Sequence, residues 1–553
     1  MPEPPAAARP GLAPRRPPPV RAPAVLYLLL GLPILFVGLA VLPRFDGLYG
    51  QDPYAYYDYA TGLLRQALLQ FQPPPPFTWP PGYPLLVALA SLWLGTTPLA
   101  GQITSLLAAA LVPVFTALLA SEVWSRSLDR VLESPEAGSW GHRAGDHLSR
   151  FTFHAVPLLA GLLAALTGQL WQSGVVVMAD TTGLAAATLG MWALARYGRD
   201  DAEPFSLTWL LLASAAVAFA ILTRWAYALV AIPATAYALL LLARQERRRA
   251  LGHSLAAALA VVAVLLPMWL PALRTWSAAG GGALPFAVDL HVYSWSPLNA
   301  LRREFVTADG LLSYRWPNGL WYALAPAHRF YFTPLLAPLL IPGVWAVLHR
   351  RAAGPIFLLL GWAVVIFLFH AGAPWQNFRF NLAHLPPLAI LLAIGAATAA
   401  NWLAGRIENG TARRLALLLL AACLLAGMVL MSYGGRALTR GFVDRKNADL
   451  ALVRQVEAAV PPNANLVTFG LTLTFQHSSH LPTYEIFYLD EPALAALTRS
   501  DRPLYLLLDL ENVQRQWLGR PPEANYRWLQ EHAILRTVAS LAPYTLFEVQ
   551  TAP

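Results

Sequence analysis

The sequence predicts a polytopic α-helical membrane protein of about eleven crossings that ends in a small α/β domain. Three observations carry that prediction. Of its 553 residues 57% are hydrophobic and only 12% charged, about half the charged share of a soluble domain. Mean hydropathy is +0.48. The apolar residues also gather into runs near the length of about 20 residues that a membrane helix needs.

Those runs lie at 24–42, 98–120, 151–172, 181–197, 207–223, 226–243, 253–273, 331–349, 355–371, 382–404 and 415–433. Residues 1–23 form a Pro- and Arg-rich tail, expected to be cytoplasmic. The first apolar run has no small-residue cleavage site and reads as an anchor. The stretch 83–95 is apolar but short, and charge decides how to treat it. If it does not cross, Arg15-Arg16, Arg126 to Arg150, Arg196, Arg244 to Arg249, Arg350-Arg351 and Arg413-Arg414 all fall on one side. That satisfies the positive-inside rule. It is therefore expected to be a juxtamembrane or partly embedded helix, with the N-terminus inside and the C-terminus outside.

The net charge of +9 is then loop bias, not a nucleic-acid surface. Lys446 is the only lysine, so nearly all the positive charge is arginine. Cys423 is the only cysteine, which leaves no intrachain disulfide. Asn409-Gly410-Thr411 matches a glycosylation acceptor, but it falls on the inner side and reads as chance.

Two long segments, 43–97 and 274–330, are expected on the outer side. The second begins near Gly280-Gly281-Gly282 and is dense in aromatics (Tyr293, Trp295, Tyr314, Trp316, Trp321, Tyr322), as a packed or interfacial surface would be. After 434 the pattern changes. Lys446 to Val460 suits an amphipathic helix, Asn465 to Phe469 and Pro503 to Leu508 suit buried strands, and Thr537 to Val549 suits a closing hairpin. Alternating strands and helices predict a small α/β domain over 434–553, outside the membrane. It has no phosphate-binding glycine loop and no Cys/His metal spacing. Residues 24–433 are the expected catalytic membrane domain.

Lone acids at the edge of a hydrophobic bundle cost free energy unless they have a use. Asp52, in Gly50-Gln51-Asp52-Pro53-Tyr54, lies just after the first crossing. It is a candidate general base for an acceptor hydroxyl; the alternative is a plain helix cap before Pro53. Asp46 competes with it. Asp180, in Ala179-Asp180-Thr181-Thr182, heads an apolar run and is either a cap or an acid that orients a sugar or an arginine. Thr182 replaces the second carboxylate of a DxD pair, so no metal is expected. Arg224 and Arg379 fall outside, against the charge rule, and each either reaches lipid headgroups or clamps a phosphate. The histidines His291, His328, His370 and His384 show no ligand spacing.

Gln51-Asp52-Pro53-Tyr54, Trp79-Pro80-Pro81-Gly82-Tyr83-Pro84, Ala179-Asp180-Thr181 and Arg379-Phe380 with Pro386-Pro387, in that order over roughly 24–400, resemble the GT-C superfamily of membrane glycosyltransferases. Within it they are similar to the family 39-like branch of protein mannosyltransferases and aminoarabinose transferases. The resemblance implies inverting transfer of a sugar from a polyprenyl-phosphate donor on the extracytoplasmic face. The acceptor would be a glycan, a lipid or a protein, and no cofactor would be needed. It implies Asp52 as base and Asp180 as the second acid of the catalytic pair. Arg224 and Arg379 would stand at the leaving phosphate, and Asp46, Tyr54, Tyr57, Trp79 and Tyr83 are further substrate-contact candidates. The family's two adjacent acids are here Gln51 and Asp52. Lys446 lies far along the chain, so no lysine is expected near the pocket. The composition suits a bacterial plasma membrane. The competing class is a lipid-linked sugar transporter or flippase, with a catalytically dead scaffold as a third reading.

Overall fold

The computed structural model describes residues 24–77, 79–132, 144–198, 205–278 and 294–551. Each of the eleven apolar runs coincides with a helix or a helix pair. Among the described residues, Val25–Arg44, Pro98–Trp124, Trp225–Leu242, Arg247–Pro267, Ala353–Gly372, Phe378–Arg406 and Gly410–Ala459 are long and apolar enough to cross a bilayer. Asp180–Tyr197, Leu207–Thr223 and Thr333–His349 are less apolar or slightly shorter helices in the same bundle.

One expected crossing is not a single straight helix. The run 151–172 is a helix pair, Ala155–Ala165 and Gly168–Val175, bent by 55°. Thr167 breaks the helix with extended backbone (φ −69°, ψ 119°). Its Oγ1 donates to the Leu163 carbonyl at 2.9 Å, and the next free amide, Gln169 N, donates to Phe330 O at 3.1 Å. All eight residues of Gly168–Val175 are buried. After the bend the chain leads to Asp180, which is buried.

Gly82–Leu94 has 13 residues, about 20 Å at 1.5 Å per residue and short of the roughly 30 Å hydrocarbon core. Its buried face includes Tyr83, Val87, Ala88 and Ser91. The residue range just after this helix is reached from the Asp52 helix, since Tyr57 Oη donates to Thr96 O at 2.8 Å. A Cβ on Gly82 would stand 2.7 Å from the Leu222 carbonyl, so only glycine lets this helix start against the end of Leu207–Thr223.

Gly280-Gly281-Gly282 and Tyr293 lie outside the described residues. From residue 294 the second long segment is packed. The antiparallel hairpin β1 (Glu304–Thr307) and β2 (Gly310–Ser313) reaches the C-terminal domain, where Leu311 N donates to Gln516 O at 2.7 Å. Trp295 Nε1 donates to Phe369 O at 3.0 Å, and Tyr322 Oη to Trp375 O at 2.7 Å.

A separate amphipathic helix from Lys446 is not what forms. One helix of 50 residues, Gly410–Ala459, runs from the last apolar run into the C-terminal domain. At about 75 Å it is far longer than a bilayer is thick. Asn409 caps it, accepting from Thr411 N at 2.9 Å and Ala412 N at 3.1 Å, so the acceptor-like triplet is a helix start. Beyond it lies a five-stranded sheet in the order β4-β3-β5-β7-β6, with β3 (Asn465–Thr468), β4 (Thr483–Glu485), β5 (Leu504–Leu508), β6 (Ala533–Leu541) and β7 (Tyr544–Thr551). β5 and β4 flank β3 in parallel, and β7 joins antiparallel to β5 and β6. All residues of β3 and β5 are buried, as continuous apolar runs covered on both faces should be.

Candidate active site

Four distant segments bring two acids and two arginines together. Gly50, at φ +77°, turns the chain into the helix Gln51–Asp58. Asp52 lies in its first turn, and no side chain caps that helix. The carboxylate goes instead to Arg379, whose Nη2 donates to Asp52 Oδ2 at 3.1 Å. Asp180 opens the helix Asp180–Tyr197, also without a side-chain cap. Its Oδ1 accepts from Arg224 Nη1 at 2.5 Å, and its Oδ2 lies 3.6 Å from Arg379 Nε. Neither acid is a plain cap. Arg379 stands between the two carboxylates, giving the chain Asp52–Arg379–Asp180–Arg224.

Local structure aims each member. Arg224 has extended backbone (φ −159°, ψ 126°) after Leu207–Thr223, which points it across the bundle instead of along its helix. Asn377 Oδ1 accepts from Arg379 N at 2.9 Å and starts the turn that presents the arginine. Both guanidinium groups lie on Phe380, 5.8 Å and 5.7 Å from its ring centre.

Two acids against two arginines make the cluster neutral, which a site walled by apolar helices requires. The members are not equally withdrawn. The Asp180 side chain is 6% exposed and that of Asp52 36%. Asp180 is thus a buried counter-ion, whereas Asp52 is partly open to solvent. Guanidinium groups bind phosphate oxygens through paired donors, and a half-exposed carboxylate beside them can accept a proton.

The other expected residues divide into a near and a supporting set. Trp79 leans on Tyr56, with ring centres 5.0 Å apart. Tyr83 is fully buried and donates to Gly101 O at 3.1 Å; its hydroxyl also meets Ser105 Oγ at 2.9 Å. Ser105 in turn bonds Met178 O, so Tyr83 braces the turn before Asp180. Tyr57 is taken up by Thr96. Tyr54 is 1% exposed, and its hydroxyl meets Lys446 Nζ at 2.5 Å. Asp46 Oδ2 pairs with the same amine at 3.3 Å. Lys446 is 392 residues from Tyr54 in sequence yet packs on the Asp52 helix through that tyrosine, outside the acid–arginine cluster.

Sequence reasoning missed Tyr56 and Tyr227, and quoted Phe380 only as part of a motif. Tyr227 Oη donates to the Asp180 carbonyl at 3.2 Å. Tyr56 follows Asp52 by one helical turn, a spacing that could have marked it. Burial raises its phenol well above the ordinary value, so it stays protonated. His370 and His384, scattered in sequence, meet with ring centres 6.1 Å apart. Among the described residues no group of three or more His, Cys, Asp or Glu side chains is disposed to hold a metal ion.

No family model matches the chain, and neither does any curated protein. Solved structures do. ArnT from Cupriavidus metallidurans in the apo state matches over 95% of this chain and 97% of its own, with a TM-score of 0.57 and 14% identity. The same protein bound to undecaprenyl phosphate matches with a TM-score of 0.56 over the same shares, again at 14% identity. An Archaeoglobus fulgidus oligosaccharyltransferase, in complex with Zn and sulfate, matches over 96% of this chain and 73% of its own, at 0.51 and 13% identity. At these identities the likeness is one of fold.

Proposed function

We propose that this chain, which carries the GT-C fold of those neighbours, is a membrane glycosyltransferase that moves a sugar from a polyprenyl-phosphate donor to an acceptor hydroxyl. The observation that carries this reading is the cluster itself: Arg379 bridges a half-exposed Asp52 and a buried Asp180, with Arg224 behind. A site for displacing a lipid phosphate from a sugar needs fixed positive charge at the leaving oxygen and a proton acceptor at the attacking one. The four residues supply both. One fold neighbour holds undecaprenyl phosphate, which is the donor class this reading requires.

In the reaction we assign, the acceptor oxygen attacks the anomeric carbon as its proton passes to Asp52. The bond from that carbon to the phosphate oxygen breaks, and the polyprenyl phosphate leaves with its negative charge against Arg379 and Arg224. A single displacement inverts the anomeric centre. Asp180 acts through the arginines, holding them charged and aimed. We assign the positive charge to these side chains and not to a divalent metal. Trp79, beside Tyr56, is assigned to the sugar. We place the site on the extracytoplasmic face of the plasma membrane, with the C-terminal domain above it; the acceptor is a glycan, a lipid or a protein.

The test is transfer from radiolabelled polyprenyl-phosphate sugars by the purified protein beside Asp52→Asn. Turnover by the parent, and a loss of about 100-fold or more in a variant that still binds undecaprenyl phosphate, is the expected result. Equal turnover in both overturns the role of Asp52. No turnover with any donor, together with movement of the lipid across vesicles, would replace the enzyme by a flippase.

A further inference from the structure

The side of the Asp52 helix turned away from the arginines is held by the C-terminal part of the chain. Lys446 is the one lysine among 39 basic residues, and it is 3% exposed. Its amine meets Tyr54 Oη at 2.5 Å and Asp46 Oδ2 at 3.3 Å, and lies 4.9 Å from the centre of the Tyr54 ring. One helical turn earlier on the same long helix, Phe442 packs edge-on against Tyr49 at 5.3 Å. From the C-terminal domain proper, His477 covers the Tyr54 ring at 4.8 Å and bonds Asp58 at 3.0 Å. The segment 46–58 is thus gripped at three points by residues 442–477.

We propose that Lys446 is a positioning residue for Asp52, and that through it the C-terminal domain completes the active site. The claim rests on the glycosyltransferase reading above. Asp52, Tyr54 and Tyr56 share two turns of one helix, so what fixes Tyr54 fixes the pitch of Asp52 toward Arg379. The chemistry of the clamp favours an ammonium. A phenol oxygen and a carboxylate oxygen converge on one buried point, where a compact charge with three donors fits and a planar guanidinium does not. This explains why a chain that uses arginine everywhere else has lysine here.

The test compares the full-length parent with Lys446→Met, and with Tyr54→Phe, which keeps the ring and loses only the hydroxyl. Two readouts are taken: steady-state transfer, and amide hydrogen exchange across 51–58 and 180–197. The expected result is faster exchange at 51–58 with none gained at 180–197. In transfer, kcat falls about 100-fold, as a misplacement near 1 Å produces, with donor KM unchanged. Tyr54→Phe moves both readouts the same way by less. Exchange at 51–58 that stays as in the parent in both variants, or that rises equally at 180–197, overturns the proposal. A parent that transfers no sugar, while exchange at 51–58 still responds, sinks the glycosyltransferase reading and leaves the clamp standing.

Discussion

At the residue scale, the two arginines of the cluster differ in what they hold. Arg224 neutralises Asp180 at 2.5 Å, where the carboxylate is 6% exposed. Arg224→Ala strands a buried charge, a change that costs about 3–5 kcal/mol. Arg379 pairs with Asp52, which is 36% exposed, and lies further from Asp180 at 3.6 Å. A partly solvated pair is worth about 1 kcal/mol or less, so Arg379→Ala should melt close to the parent. Its transfer rate should nonetheless fall about 100-fold, the loss typical of removing one donor from a charge-stabilising site. Thermal melts in detergent alongside transfer assays check this; Arg379→Ala melting as low as Arg224→Ala would make both arginines structural. Asp52, Asp180 and both arginines were legible in sequence because charge is conspicuous in apolar surroundings. Tyr227 was not, since an aromatic near a membrane has too many ordinary uses to stand out.

At the scale of elements, the bent pair and the long helix show where hydropathy stops informing. Gly168 packs on Gly435, and a Cβ at Gly435 would come 2.7 Å from the Trp171 ring. The break at Thr167 and the pair Gly434-Gly435 therefore answer to each other across the bundle, a contact invisible to any window along one segment. The helix Lys446 to Val460 was visible only as a fragment, because Arg436, Arg440 and Asp444 interrupt the apolar run without interrupting the helix. The buried strands β3 and β5 were legible because their apolar runs are short and continuous; β4, three residues long, was not. In the C-terminal domain, Glu523 accepts from Arg527 at 2.6 Å on both oxygens, near the start of the helix Pro521–His532. That hydrogen bonding holds Glu523 below its ordinary value of 4.5. A carboxylate with a lowered folded-state value stabilises fully above the unfolded value, and loses its contribution as pH falls through the folded one. Glu523→Gln should thus melt below the parent at pH 7, with the gap closing as pH drops below 4.5. A gap that persists unchanged into acid would show that the carboxylate's charge is not what stabilises this helix.

At the scale of the whole molecule, one short helix decides the orientation of everything after it. If Gly82–Leu94 crossed, Gln72 and Thr97 would face opposite compartments, and Asp52 would be parted from Asp180. The contacts oppose that. Tyr57, before the helix, bonds Thr96, after it, while Asp52 and Asp180 share Arg379. The charge pattern read from sequence and these contacts are independent, and on them we propose a helix that enters and does not pass through. Labelling tests the arrangement directly. Cys423 is the only cysteine and is exposed, so Cys423→Ser gives a background free of thiols. Single cysteines then replace Gln72, Thr97, Glu246 or Ser500, all exposed positions. A membrane-impermeant maleimide applied to intact cells should reach those at 72, 97 and 500, and reach that at 246 only after permeabilisation. Opposite labelling of 72 and 97 would make Gly82–Leu94 a crossing. Labelling of 246 but not 500 would turn the molecule over and put the cluster on the cytoplasmic side, where nucleotide-sugar donors are at hand and the case for a lipid-borne sugar is lost.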